Sequence, residues 1–260
     1  MSEQLVSPEL KPYFRLRKSE LIEQLGHHYF IAETFRVIQQ LLDSEVEIHS
    51  LLTTKVWLDR LGGFERVSQR VHPDRVYIQS QKTMEQIVGF NLHQGVMAIA
   101  KRPSDHPLDR LDSKIIAVNG VVNPENIGSL VRTLVALGYR SFLGDQKSAD
   151  PFLRRAVRVS MGNVFRIHHH CTSTMVESLK HLKALGYCII GSDIRNPTAY
   201  LPEFSYPQRF VLIIGSEFNG MDPEVLALCD EIVAIPGDVP MNASHAAAVL
   251  MYAGKAQIKT

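Results

Sequence analysis

Cysteine is scarce in this chain. The three present in 260 residues, Cys171, Cys188 and Cys229, are widely spaced, which excludes a disulfide scaffold and any cysteine-based metal spacing. They read as buried thiols. No apolar run reaches the roughly 18 residues that a membrane-spanning helix needs. The opening stretch, MSEQLVSPELKPYFRLRKSE, lacks the apolar core of a secretory signal, so a reducing cytoplasm is the expected location. An excess of one charge is also missing: 28 Lys and Arg against 27 Asp and Glu leave a formal charge of +1. That total neither demands nor excludes a nucleic-acid partner, because a basic face can sit inside a neutral sum. Neither G-x-G-x-x-G nor G-x-x-x-x-G-K-[ST] occurs, which weakens any reading as a Rossmann-like small-molecule enzyme.

What the chain does have is ordinary globular composition, 45% hydrophobic and 21% charged, and enough length for one large or two modest domains. The polar, two-proline stretch KRPSDHPLDRLDSK has linker composition and separates two apolar strands. The expected division is a first domain over 15–100, a linker over 101–113 and a second domain over 114–260. In the second domain, strands are expected at Lys114–Asn119, Tyr139–Leu143, Val164–His168, Cys188–Gly191, Phe210–Ile214 and Glu231–Ile235. Helical patterns lie between them at Pro124–Leu137, Pro151–Ser160, Thr174–Leu185, Pro223–Cys229 and Ser244–Ala256. This alternation predicts an α/β fold with parallel strands, whose ligands sit beyond the carboxyl ends of the strands. The first domain also reads as α/β, with a helix at Phe30–Leu42 and strands near Val46–Leu52, Arg75–Ile78 and Val96–Ala100.

Four loops at predicted strand ends draw attention, NGVVNPEN, GSDIRN, GSEFNGMD and PGDVPMNAS, and the segments around three of them could carry chemistry. In VVNPENIGSLVRTLVALG, Asn123 is a good N-cap, Pro124 suits the first helical position and Gly138 stops the helix. Arg132 is one long cation in a largely apolar helix, with Gly128 one turn before it. It is either a snorkelling or ion-paired side chain or a clamp for phosphate, whose oxygens a guanidinium fork matches. In FVLIIGSEFNGMDPEV a buried strand ends at Gly215 and two glycines permit close ligand approach; Glu217 is a loop hydrogen-bonder or an active-site carboxylate. In AIPGDVPMNASHAAAVLMYAG, Asn242 or Ser244 can cap a helix of small residues built for close packing. The run His168–His170 would alternate faces on a strand, so its members cannot all ligate one ion. Arg154, Arg155 and Arg158, and the cations of KPYFRLRK, are either a solvated face or phosphate contacts.

Taken in order, these segments resemble the SpoU/TrmH branch of the SPOUT RNA methyltransferases. The first family motif is matched by Asn123, Asn126, Gly128 and Arg132, the second by Gly215, Ser216, Glu217 and Gly220. The third is matched by Ile235, Pro236, Met241, Asn242, Ala243 and Ser244. VRVSMGNVFRI and LHQGVMAIA extend the likeness over nearly the whole chain. The resemblance implies a trefoil-knotted C-terminal methyltransferase domain and a smaller N-terminal α/β domain that binds RNA substrate. It also implies S-adenosylmethionine as cofactor, a homodimer, and methyl transfer to a ribose 2′-hydroxyl of structured rRNA or tRNA. No metal or membrane is implied. Arg132, Asn126, Glu217 and Asn242 take the catalytic positions, with Arg132 orienting RNA phosphate. Ser192, Gly215, Ser216, Gly220, Ile235, Pro236, Met241 and Ser244 take the cofactor positions. One departure stands out: Pro240 occupies the place of the family's serine in a shortened loop, which keeps open a second reading as an inactive, RNA-binding member.

Overall fold

The computed structural model describes residues 8–257. The first seven residues of the stretch read for a secretory signal, and residues 258–260 of the expected second domain, lie outside them. The described residues form two compact units. One runs to Ser104 and includes Phe152–Phe165; the other comprises Asp105–Pro151 and the chain from Arg166 onward.

In the first unit, α1 (Lys18–Leu25), β1 (Tyr29–Glu33), α2 (Phe35–Leu42), β2 (Ile48–Thr53), α3 (Lys55–Arg60), α4 (Gly63–Ser68), β3 (Val76–Ile78), α5 (Gln81–Val88) and β4 (Val96–Lys101) build a four-stranded sheet ordered β1-β4-β2-β3. The helix expected over Phe30–Leu42 is corrected to a strand followed by a helix. Phe30, Ile31 and Ala32 are buried in succession, as in a strand covered on both faces. The 3.6-residue spacing begins only at Phe35, with Val37, Ile38, Leu41 and Leu42 buried. Residues 152–165, read from the sequence as part of the second domain, belong to this unit for a visible reason. The rings of Phe152 and Phe165 lie 5.3 Å and 5.9 Å from that of Phe30. From α7 (Arg154–Val159), Arg154 and Arg158 each reach the buried Glu33 carboxylate, at 3.2 Å and 3.1 Å. Those two arginines are thus committed to a buried acid, which without them would be costly to keep charged.

The second unit is built on a fully parallel sheet. Its members are β5 (Lys114–Asn119), α6 (Pro124–Ala136), β6 (Ser141–Asp145), β7 (His168–Thr172), α8 (Met175–Ala184), β8 (Cys188–Ser192), β9 (Ala199–Tyr200), β10 (Phe210–Gly215), α9 (Pro223–Leu226), β11 (Glu231–Ala234) and α10 (Ala243–Gln257). The seven strands are ordered β7-β6-β5-β10-β8-β11-β9, and each neighbouring pair is parallel. The strand expected over Val164–His168 starts later: 163–166 form a single tight turn, and His168–Thr172 pairs with β6. On β7, His169 is buried beside Asp105, with its Nε2 3.0 Å from a carboxylate oxygen, while its neighbours are more exposed, the alternation a strand imposes. The described residues contain no group of three or more His, Cys, Asp or Glu placed to hold a metal ion. The expectation of buried thiols is corrected: Cys171 is exposed, and Cys188 and Cys229 are half-buried. No helix among the described residues is long and apolar enough to cross a membrane.

Candidate active site

Strands β5, β10 and β11 all deliver their carboxyl ends to one edge of the sheet, and a loop leaves each. After β5, Asn123 caps α6 by accepting from the Glu125 amide at 2.8 Å, and Pro124 takes the first helical position. This seats Asn126 on the first turn, where it is buried. After β10, Ser216 and Gly220 exchange two backbone hydrogen bonds, at 3.0 Å and 2.9 Å, closing a tight loop that presents Glu217 at its tip. Gly215 has no room for a side chain: a Cβ there would lie 2.6 Å from the Gly220 carbonyl carbon and 2.7 Å from the Met221 nitrogen. Gly220 adopts a φ of 72°, in the left-handed region that favours glycine. After β11, the loop Ile235–Met241 leads to Asn242, whose Oδ1 accepts from the backbone and the hydroxyl of Ser244 at 3.0 Å and 2.7 Å, starting α10.

The three segments meet on one carboxylate oxygen. Glu217 Oε1 accepts from Asn126 Nδ2 at 2.8 Å, from Asn242 Nδ2 at 2.5 Å and from the Ala243 amide at 3.1 Å. Asn242 Nδ2 also lies 3.1 Å from Asn126 Oδ1. Hydrogen bonds to an ionised acceptor are the stronger kind, and the carboxylate sits where the N-terminal end of the 15-residue helix α10 favours negative charge. Three of the four catalytic candidates are therefore in direct contact. Arg132 stands apart from them. It is exposed and, among the described residues, makes no hydrogen bond or ion pair, so the ion-paired alternative is not what the structure shows.

Beside this network lies a cleft of about 450 Å³, within the range of about 300–1,000 Å³ usual for small-molecule sites. Seven of the expected cofactor residues line it, namely Ser192, Gly215, Ser216, Gly220, Ile235, Pro236 and Met241; Glu217 and Ala243 do as well. The eighth, Ser244, is buried and does not line the cleft; its hydroxyl holds Asn242 instead. The sequence pointed to the loops that hold Asp193, Arg195, Phe218 and Asp238 without singling out these side chains, which also line the cleft. Arg195 donates to the Asp193 carboxylate through Nε and Nη2, and that pairing holds the carboxyl below its ordinary pKa. A signal for the pair was present in the sequence, since Asp193 and Arg195 follow a strand end directly.

A second network was also missed. Asn119, the last residue of β5, donates through Nδ2 to Asp145 at 2.7 Å and to Asp222 at 3.0 Å, and its Oδ1 accepts from the Asp222 amide at 2.6 Å. Lys147 donates to the Asp222 carboxylate at 2.9 Å. Because Asn119 is also the register partner of Gly215, it ties down both ends of the loop that carries Glu217. Its own strand continues into the loop that carries Asn126. The contacts from Asn119 first, and Lys147 second, hold the Asp222 carboxyl below its ordinary pKa.

Residues 113–252 match the family model described as the SpoU rRNA Methylase family. The chain is 29% identical over 240 residues to an uncharacterized tRNA/rRNA methyltransferase of Mycobacterium bovis, covering 87% of this chain and 81% of that one. It is 24% identical over 231 residues to the 23S rRNA (guanosine-2′-O-)-methyltransferase RlmB of Acinetobacter baylyi, covering 83% and 92% respectively. The SpoU methyltransferase AviRb of Streptomyces viridochromogenes, solved in complex with AdoMet, superposes with a TM-score of 0.78 at 21% identity over 96% of each chain, a likeness of fold. With its family motifs gathered at one sheet edge and more than half its length matched, the chain belongs to the SpoU rRNA methylases, a family of S-adenosylmethionine-dependent RNA 2′-O-ribose methyltransferases.

Proposed function

We propose that this chain methylates a ribose 2′-hydroxyl in structured rRNA or tRNA, with S-adenosylmethionine held in the cleft between the loops that follow β8, β10 and β11. The observation that carries the reading is the convergence of Asn126, Asn242 and the Ala243 amide on Glu217 Oε1. Residues from three separate motifs are locked together at the wall of a cavity, which is the preorganisation that positioning catalysis requires. The cleft suits the cofactor: Ile194, Ile214, Ile235 and Met241 offer apolar surface, Gly215 and Gly237 expose backbone, and a cation and two further carboxylates stand on the walls. When bound, S-adenosylmethionine supplies a methyl group on a positively charged sulfur.

The chain's own residues then divide the remaining work. Glu217 fixes the two asparagine amides, and Asn126 and Asn242 orient the ribose. Arg132, whose guanidinium fork matches phosphate oxygens, orients a neighbouring RNA phosphate. The same reading includes a C-terminal trefoil knot, supported by the insertion of β10 between β5 and β8 and by the packing of α10 against α6. It includes a homodimer, for which Val249 and Tyr252 offer exposed apolar surface one turn apart on α10, an N-terminal domain that binds RNA, and a cytoplasmic location. The test is incubation of the purified chain with bulk RNA and labelled S-adenosylmethionine. Label is expected in RNA, resistant to alkaline cleavage at the modified site, and Arg132→Ala is expected to lose this while binding the cofactor normally. Absence of RNA-dependent label would sink the reading, and full activity in the variant would remove Arg132 from it.

A further inference from the structure

The residues that follow β8 hold a half-used guanidinium over the cleft. Asp193 is buried, and its carboxylate accepts from the Arg195 amide at 2.8 Å, from Nε at 2.9 Å and from Nη2 at 2.5 Å. Those bonds fix the plane of the guanidinium. It lies so close to Gly220 that a Cβ on that glycine would overlap Nη2. Yet Arg195 carries five N–H donors, and Nη1 has no hydrogen-bond partner among the described residues while the side chain remains 53% exposed. No other Lys, Arg or His lines the cleft. Of the three carboxylates on its walls, Asp193 is already paired with Arg195, Glu217 Oε1 is already filled by three donors, and Asp238 is exposed.

We propose that Arg195 receives the carboxylate of the cofactor's amino-acid tail through its free donors, and so makes the cleft select an adenosyl sulfonium that still carries that carboxylate. The proposal rests on the reading that S-adenosylmethionine occupies this cleft. A carboxylate leaving water for a partly enclosed wall is unfavourable unless it finds charged donors. A guanidinium held in plane by one carboxylate presents its remaining edge to a second in the fork geometry such groups match. The competing account is purely architectural: Arg195 ties Asp193 to the Gly220 loop and touches no ligand.

Two ligands that differ only in that carboxylate separate the accounts. Calorimetry on the full chain would compare S-adenosylmethionine with decarboxylated S-adenosylmethionine, for the wild type and for Arg195→Gln. The wild type is expected to prefer the carboxylated ligand by about ten- to a hundredfold, the range for a hydrogen bond to a charged group. Arg195→Gln is expected to lose that preference while binding the decarboxylated ligand within about twofold of wild type. Arg195→Lys keeps a cation beside Asp193 and guards against collapse of the loop; it is expected to retain part of the preference. Equal weakening of both ligands in Arg195→Gln, or an intact preference, would overturn the proposal and leave the architectural account. Failure of the wild type to bind either ligand is a distinct result, which removes the cofactor reading and this proposal with it.

Discussion

Glu217 concentrates the site's chemistry in one atom. Its Oε1 takes three donors, so replacing the carboxylate by an amide weakens three charge-assisted bonds at once and sets an amide beside two others. Glu217→Gln is expected to cost about 1–3 kcal/mol of stability and to lower methylation by at least about a hundredfold, the scale of losing preorganised polar contacts. Thermal melts and steady-state rates check the two parts separately; unchanged turnover would reduce Glu217 to a packing role. Pro240 is the opposite case. It lines the cleft but belongs to none of the hydrogen bonds that join Asn126, Glu217 and Asn242. Pro240→Ser is therefore expected to leave turnover within about threefold, less than 1 kcal/mol in the barrier. A wild type with no activity that becomes active on this substitution would favour the non-catalytic reading instead. Asn126, Glu217 and Asn242 were singled out in the sequence because each falls in a family motif that follows a strand. Ser244 was legible as a motif residue but not in its role. Whether a hydroxyl faces a cavity or its own helix cap depends on the path of the loop before it, and Asn242 took that hydroxyl as a partner.

At the scale of elements, the site depends on how β5 and β10 are fastened together. Gly215 pairs with Asn119 at their shared end, and Asn119 then reaches past it to Asp222. The Asp222 carboxyl titrates below its ordinary value of 3.8 because of Asn119 and Lys147. A carboxyl whose pKa falls on folding contributes stability that is present above its unfolded value and is lost as pH falls through the folded one. The wild type is therefore expected to lose stability below about pH 4 more steeply than Asp222→Asn does. Melting temperatures between pH 2.5 and pH 6 would show it, and parallel curves would show that the network is not linked to protonation. The side chain is 41% exposed, so solvent screening keeps the difference modest. Nothing in the local sequence announces this fastening. Asn119 ends an apolar strand, as turn-formers often do, and its partners lie 26 and 103 residues away. Strands β5, β6, β8, β10 and β11 were legible to within two residues because parallel strands buried on both faces read as continuous apolar runs; β7, whose sequence HHHCT is no such run, was expected four residues too early, and the two-residue β9 was not expected. In the first unit the same logic misled: only Glu33 and Thr34 separate the apolar Phe30–Ala32 from the helix that starts at Phe35, a break short enough to fit inside one helical turn, and the strand's period is set only by the sheet it joins.

For the whole molecule, the balance of charge decides how RNA must be held. A formal charge of +1 supplies no long-range pull, so affinity has to come from local cations placed against phosphates. Arg154 and Arg158 each give one donor to Glu33, so part of each guanidinium's capacity is already used. Arg132 is exposed and has no partner among the described residues, and Arg15, Arg17 and Lys18 are exposed beside the core formed by Tyr13, Phe14 and Leu16. If these side chains bind phosphates, each releases counterions, and the logarithm of RNA affinity falls against the logarithm of salt by about 0.7–0.9 per contact. Arg132→Ala is then expected to reduce that slope by about one contact. The triple replacement of Arg15, Arg17 and Lys18 by serine is expected to reduce it by up to about three, with cofactor affinity unchanged in both. Filter binding across a salt series measures the slopes, and calorimetry with S-adenosylmethionine supplies the control. A triple variant whose slope matches the wild type would remove the N-terminal segment from the RNA footprint, whatever Arg132 does. A loss confined to that variant would put the phosphate contacts in the first unit and leave Arg132 to act on the reacting nucleotide alone.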